Sequence, residues 1–162
     1  MKSLIVLRHG KAAQPGGVAD FNRSLTERGR QDAVQTGKVL AERDLVPDLI
    51  VTSTANRAHA TAQFVAEGCN YSGELVLSDD LYLPTQATII ETVREIPEHH
   101  MRVLVVGHNP GFAMFASKFG SGADHFPTCA WAYIGFEVRF WGEITLTTKS
   151  EGLDFWYPKM DE

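Results

Sequence analysis

Leu4-Ile5-Val6-Leu7-Arg8-His9-Gly10 is an unbroken apolar run that stops at an arginine, a histidine and a glycine. Four apolar residues without alternation, with Ile5 and Val6 β-branched, form the pattern of a strand buried on both faces of a parallel sheet. Gly10 ends the run and lets the backbone turn closely around whatever sits there. Arg8 and His9 are thereby placed at the carboxyl end of a strand, where open α/β sheets bind their ligands.

Outward from this stretch, helices and strands alternate. A loop at residues 11–25, punctuated by Pro15-Gly16-Gly17, leads to a helix over about 26–43 capped by Ser24 or Thr26. Ala33, Val34, Gly37, Leu40 and Ala41 share one face of that helix. Gly29 and Gly37 lower its stability, which close packing on a sheet would offset. A second strand covers residues 49–52. Ser53-Thr54 is a natural N-cap pair for the next helix, with Ala58, Thr61, Ala62 and Val65 on one face and Gly68 as its C-terminal cap. A third strand spans 74–78, a helix about 85–95, and a fourth strand 102–106. Pro110 suits the first position of a helix over about 110–119. Two weaker strands, 131–140 and 143–148, flank a turn at Trp141-Gly142. This order predicts an α/β fold: a three-layer α/β/α sandwich with a mostly parallel sheet of about six strands and an antiparallel edge.

The length, 162 residues, predicts one domain over 1–162 that buries roughly 70% of its unfolded surface. A net charge of −5 argues against a nucleic-acid binder. No apolar run approaches the ~20 residues of a membrane span, and Met1-Lys2-Ser3 enters a strand without a signal peptide's apolar core, so a cytoplasmic, membrane-free setting is expected. Cys69 and Cys129 lack metal or redox spacing and read as packed free thiols.

Three segments converge on one crevice. Arg8-His9 ends the first strand, Arg57 follows the second and His108 follows the fourth. Parallel strands open these positions on the same sheet edge. The helix starts near residues 54 and 110 add free N–H groups and the positive end of the helix dipole. Two guanidiniums and two imidazoles gathered in an acidic protein are suited to a compact dianion, and phosphate fits best because arginine binds it as a planar fork. His59, His99, His100 and His125 have no such placement and read as surface or loop residues. His99-His100 beside Glu98 lacks a spaced ligand set for a metal.

On these residues the chain resembles the histidine phosphatase superfamily, also called phosphoglycerate mutase-like, and within it the small SixA-type phosphohistidine phosphatase branch. Leu7-Arg8-His9-Gly10-Lys11-Ala12 matches the opening motif. Asp20, Arg23, Leu25, Thr26 and Gly29 match the branch pattern that follows. Ser53, Arg57, Ala58, Thr61 and Ala62 match the second motif, and Val106-Gly107-His108-Asn109-Pro110-Gly111 the third. Phe126-Pro127-Thr128 and Pro158-Lys159 also look like branch features. Ser24 stands where many relatives have proline.

The resemblance implies a covalent mechanism without metal or cofactor, with His9 as the nucleophile. Arg8, Arg57 and His108 would hold the phosphoryl oxygens, with Asn109 as a further phosphate-binding candidate that could equally position a loop or serve an ordinary turn. His9 must be neutral to attack. Its cationic neighbours should lower its pKa, and a backbone carbonyl in the turn after Gly10 should fix its tautomer. Larger relatives carry a glutamate acid after the third strand; here that stretch reads Asp79-Asp80-Leu81-Tyr82-Leu83-Pro84. Asp79 or Asp80 would replace the acid, or both cap a turn. Asp20 and Arg23 would order the loop beside the pocket or form a surface ion pair. The functions implied are removal of phosphate from a phosphohistidine-containing protein, hydrolysis of small phosphate esters such as sugar phosphates, or phosphate binding without turnover. Inorganic phosphate is the product of the first two.

Overall fold

β1 (Lys2–Arg8) lies inside the sheet of the computed structural model, which describes residues 1–120 and 125–159. Its side chains alternate between two apolar cores, Leu4 and Val6 into one, Ile5 and Leu7 into the other. Neither face meets water, which is why the run has no polar alternation. β2 (Leu49–Ser53), β3 (Leu75–Ser78), β4 (Arg102–Gly107), β5 (Trp131–Phe136) and β6 (Ser150–Trp156) complete a six-stranded sheet in the order β3-β2-β4-β1-β5-β6. The first four in that order are parallel; β5 runs antiparallel to β1, and β6 antiparallel to β5.

Helices cover both faces. α1 (Glu27–Glu42) and α2 (Asn56–Gly68) pack Ala33, Leu40, Ala58, Ala62 and Val65 over Ile5 and Leu7. α3 (Gln86–Arg94) and α4 (Gly111–Phe119) pack Ile89, Val93, Phe112 and Phe115 over Leu4 and Val6. The three-layer α/β/α sandwich and its antiparallel edge are therefore as the sequence predicts. In the ladder Arg8 pairs with Gly107 and Thr52 with Val106. His9 and His108, which follow Arg8 and Gly107, and Ser53, which follows Thr52 as the last residue of β2, lie at one level of one edge.

Several local expectations are corrected. The segment 143–148 is not a strand, and β5 ends at Phe136 rather than 140. Trp141 is no turn tip: it is wholly buried, its indole N–H donates to the His100 carbonyl at 2.9 Å, and it sits in a short 3-10 turn, Trp141–Glu143. Thr145 to Thr148 then bond among themselves, the Thr145 N–H to the Thr148 hydroxyl at 2.8 Å, so hydroxyls replace a ladder. The strand comes later, as β6. Gly37 and Gly68 pack helix on helix, not helix on sheet or as a cap. A Cβ on Gly37 would lie 2.2 Å from the Val65 carbonyl oxygen, and one on Gly68 2.2 Å from that of Val34. Gly29 instead lets the loop pass, with the Lys11 carbonyl 2.3 Å from a would-be Cβ. Thr26, not Ser24, caps α1, accepting the Gly29 N–H at 3.0 Å. Ala41 is exposed, whereas Asp32 and Thr36 are buried on that helix. Pro110 is the N-cap of α4 rather than its first residue. Cys69 and Cys129 are free and buried.

Candidate active site

The carboxyl edge of β1, β2 and β4 holds the cluster. The His9 N–H donates to the Gly107 carbonyl of β4 at 3.0 Å, and the Cys129 N–H reaches the Arg8 and His9 carbonyls, both at 3.1 Å. Gly10 donates its N–H to the Thr61 hydroxyl at 2.9 Å, and that hydroxyl donates to the Arg57 carbonyl at 2.7 Å. The turn after β1 is thus fixed to the start of α2, which carries Arg57. His9, Arg57 and His108 are 8%, 3% and 1% exposed.

The His9 Nδ1 lies 2.7 Å from the Gly10 carbonyl oxygen. A carbonyl only accepts, so Nδ1 carries the proton and Nε2 keeps its lone pair. The expected backbone acceptor is therefore Gly10 itself. Nε2 receives a long hydrogen bond from Arg57 Nε at 3.4 Å. Burial pushes the imidazole down to about 4, and Arg57, Arg8 and Arg23 push the same way against the Gly10 bond. The direction is the one expected, but burial outweighs the cationic neighbours. His108 stands with its ring centroid 5.0 Å from that of His9 and is pushed down to about 3 by burial first, then by His9 and Arg57.

Ser53 is a motif residue that the sequence also offers as a helix cap. It caps nothing beyond the Ala55 N–H, which it accepts at 3.2 Å; its hydroxyl lies 2.9 Å from His108 Nε2. α2 starts instead after an Ala55 N-cap. Among the described residues, Arg8 Nε and His108 Nδ1 are buried without a hydrogen-bond partner. Each such group costs roughly 1–3 kcal/mol if left unmatched, a cost an oxyanion would offset.

Around this floor the rim is exposed. Arg57 donates through both terminal nitrogens to Asp20, to its carbonyl at 2.7 Å and its Oδ2 at 3.1 Å. Arg23 donates to Asp20 Oδ1 at 3.0 Å, and the Tyr82 hydroxyl donates to Oδ2. Tyr82, Arg23 and Arg57 hold the Asp20 carboxyl well below the usual carboxylate range. Asp20 and Arg23 are therefore tied to the pocket and are more than a surface pair. Asp79 accepts the Thr54 hydroxyl at 2.7 Å within the 3-10 turn Asp79–Leu81, and Asp80 is exposed. Asn109 donates to the Phe126 carbonyl at 3.0 Å and accepts the Ala113 N–H at 3.2 Å, so both ends of its amide hold the loop. The same carbonyl takes Arg8 Nη1 at 3.3 Å. His59 lies within α2, His99 and His125 are exposed, and His100 is 3.5 Å from Asp48. No group of three or more His, Cys, Asp or Glu side chains among the described residues is placed to hold a metal.

A sheet edge that gathers buried imidazoles and guanidiniums is suited to binding a phosphoryl group, and comparison with known proteins places the chain in a family. The model of the histidine phosphatase superfamily (branch 1) matches residues 4–82. An uncharacterized protein of Mycobacterium tuberculosis is 32% identical over 115 residues, 71% of this chain and 70% of that one. The chain belongs to the histidine phosphatase superfamily. Among solved structures, a candidate phosphohistidine phosphatase SixA from Agrobacterium tumefaciens is 28% identical, with a TM-score of 0.80 over 97% of this chain and 98% of that one. A candidate SixA from Nakamurella multipartitia superposes with a TM-score of 0.85 at 24% identity, covering 97% and 96%. A mycobacterial glucosyl-3-phosphoglycerate phosphatase shares the fold at a TM-score of 0.66 and 18% identity, covering 99% and 100%. No helix among the described residues is long and apolar enough to cross a membrane.

Proposed function

We propose that this chain is a cytoplasmic, metal-independent phosphatase that removes phosphate from phosphohistidine on a protein through a phosphohistidine on His9. The observation that carries the reading is the His9 ring: Nδ1–H held on the Gly10 carbonyl, and a neutral Nε2 beside Arg57. Nε2 attacks phosphorus in line, the phosphorus–nitrogen bond of the substrate breaks, and the leaving imidazole takes its proton from solvent. Water then attacks the phosphoenzyme, His9 leaves with its lone pair restored, and inorganic phosphate departs. Arg8, Arg57 and His108 stabilise the charge on the equatorial oxygens.

Ser53 completes the donor set. Its oxygen accepts the Ala55 N–H and lies 2.9 Å from His108 Nε2, and in the proposed arrangement the serine hydroxyl donates to that nitrogen. The His108 proton then sits on Nδ1, the buried nitrogen without another partner, where it donates to a phosphoryl oxygen. Asn109 serves by holding the loop that orients Arg8.

Substrate class follows from the rim. The carboxylate bonded to Arg57, Asp20, is held ionised by its partners and has no proton to give. An alkoxide needs an acid placed at its oxygen as it leaves; the phosphohistidine ring, with a reference imidazole pKa of about 6.5, takes its proton from solvent on the free ring nitrogen before the bond breaks and leaves as neutral imidazole. The 28% identity to a candidate SixA supports the same class. Parallel turnover of a phosphohistidine peptide, an aryl phosphate and a sugar phosphate tests this. The expected order is the one just written, unaffected by exhaustive chelation. A sugar phosphate turned over fastest, or activity lost to chelator and restored by a divalent ion, would sink the reading.

A further inference from the structure

Tyr82 lies outside the strands and helices that carry the floor, yet its ring forms part of the pocket wall. It follows the 3-10 turn at the carboxyl end of β3, and its half-buried ring stands edge-on to His108, 5.3 Å between centroids. The Arg57 guanidinium carbon lies over the ring, 6.0 Å from its centre. Phe21 meets it edge-on from the other loop at 5.2 Å. The hydroxyl is held by Asp20, whose carboxylate also takes Arg57 and Arg23. The ring is therefore fixed by its hydroxyl and by aromatic contact. Phe21 is 39% exposed and the neighbouring Leu83 53% exposed, so this side of the rim offers apolar surface, and its phenol hydroxyl is already engaged.

The geometry points to Tyr82 as a specificity-determining residue: its ring walls the phosphoryl pocket so that a flat aromatic leaving group packs there while a polyol finds no partner for its hydroxyls. This rests on the phosphatase reading above. Aromatic pairs gain from edge and offset contacts beyond the area they bury. Hydroxyls pressed against apolar rim atoms lose water without replacement. The effect is separate from leaving-group basicity, which belongs to the substrate and is unchanged in any variant.

The test compares kcat/KM for an N-phosphohistidine peptide, an aryl phosphate and glycerol 3-phosphate in the wild-type chain and in Tyr82→Ala, Tyr82→Leu and Tyr82→Phe. Tyr82→Ala and Tyr82→Leu should lower the values for both aromatic leaving groups by roughly tenfold and leave glycerol 3-phosphate within about twofold. Tyr82→Phe keeps the ring and should keep the aromatic-to-alkyl ratio. The inhibition constant of inorganic phosphate, which reports the floor alone, should stay within about threefold throughout. An unchanged ratio in Tyr82→Ala and Tyr82→Leu overturns the proposal. So does an equal loss in Tyr82→Phe, which would move the effect to the bond with Asp20. A parallel fall on all three substrates with weakened phosphate binding overturns it too, because Tyr82 would then support the floor. A wild-type chain active on aryl phosphate and inactive on phosphohistidine would sink the phosphohistidine reading, while the aryl-to-alkyl ratio would still decide the role of Tyr82.

Discussion

The floor and the rim of the pocket are built by different means. On the floor, His9 and His108 follow directly on strand registers and Ser53 closes one, and their places are set by the backbone ladder and by bonds such as that from His9 to Gly107 at 3.0 Å. On the rim, Asp20 and Asp79 sit in 3-10 turns, with Tyr82 next to the second, and all three are held through side-chain bonds. Strand ends in a sheet buried on both faces have little freedom to move, which suits preorganised charge. Turns tolerate replacement, which suits a part that distinguishes substrates. On the proposed reading, phosphoryl chemistry belongs to the floor and leaving-group choice to the rim, and substitutions in each test whether the two act apart.

The largest effect should come from the floor. His9→Ala should lower turnover by at least about 10³-fold on every substrate, since the nucleophile is gone. Rapid quench should trap an acid-labile, alkali-stable phosphoenzyme on wild type and none on the variant. Full activity in His9→Ala would end the covalent mechanism. Next, Arg57→Lys keeps charge but loses the planar fork, and roughly 10²-fold should be lost, with a similar loss in His108→Ala. Either variant within a few-fold of wild type would remove that residue from the phosphoryl site.

Acid should act on the floor rather than on the rim. His9 and His108 are held neutral, down to about 4 and about 3, whereas the unfolded chain protonates them at about 6.5. The unfolded state then binds more protons, so these rings contribute stability that is full above pH ~6.5 and is lost as pH falls toward the folded values. NMR titration of the imidazoles, run beside denaturant midpoints across pH 7 to 4, checks both halves. A His9 midpoint above 6 would contradict its burial among cations. Asp20 is already ionised across this range and should contribute no pH dependence to turnover.

Smaller effects should separate the supports. Ser53→Ala leaves His108 without its fixed tautomer; a loss of about tenfold in kcat is expected, with changed His108 nitrogen shifts and little change in melting temperature. Unchanged shifts would remove Ser53 from that role. Asp79→Asn and Asp80→Asn should each stay within about threefold on all three substrates, because their turn role survives the amide. A selective collapse of alkyl ester turnover in either would establish a protein acid on the rim and remove the main support for phosphohistidine.

Much of the floor is legible in one dimension. An apolar run ending in Arg8-His9-Gly10 announces a doubly buried strand and a polar edge, and Val103 to Val106 ending in Gly107-His108 announces a second. Parallel pairing then requires both ends to meet. The helix glycines are legible as exceptions but not as to purpose, because close approach at Gly37 and Gly68 depends on which helix lies opposite. The antiparallel edge misled for a similar reason. Trp141 looks like the tip of a hairpin until the core that buries it is known, and Leu153 faces solvent in the strand that forms instead.

By itself, then, the sequence determined the α/β order, the sheet edge that bears the site, and four residues, Arg8, His9, Arg57 and His108, that meet there. Those depend on local pattern: apolar runs, breakers and the type of residue that follows them. Tertiary structure alone decided which partners complete the site: Ser53 on His108 and Asp20 on Arg57. Such pairs join residues up to tens of positions apart through directional bonds. Hydrogen-bond geometry has no signature in the order of residues along a chain.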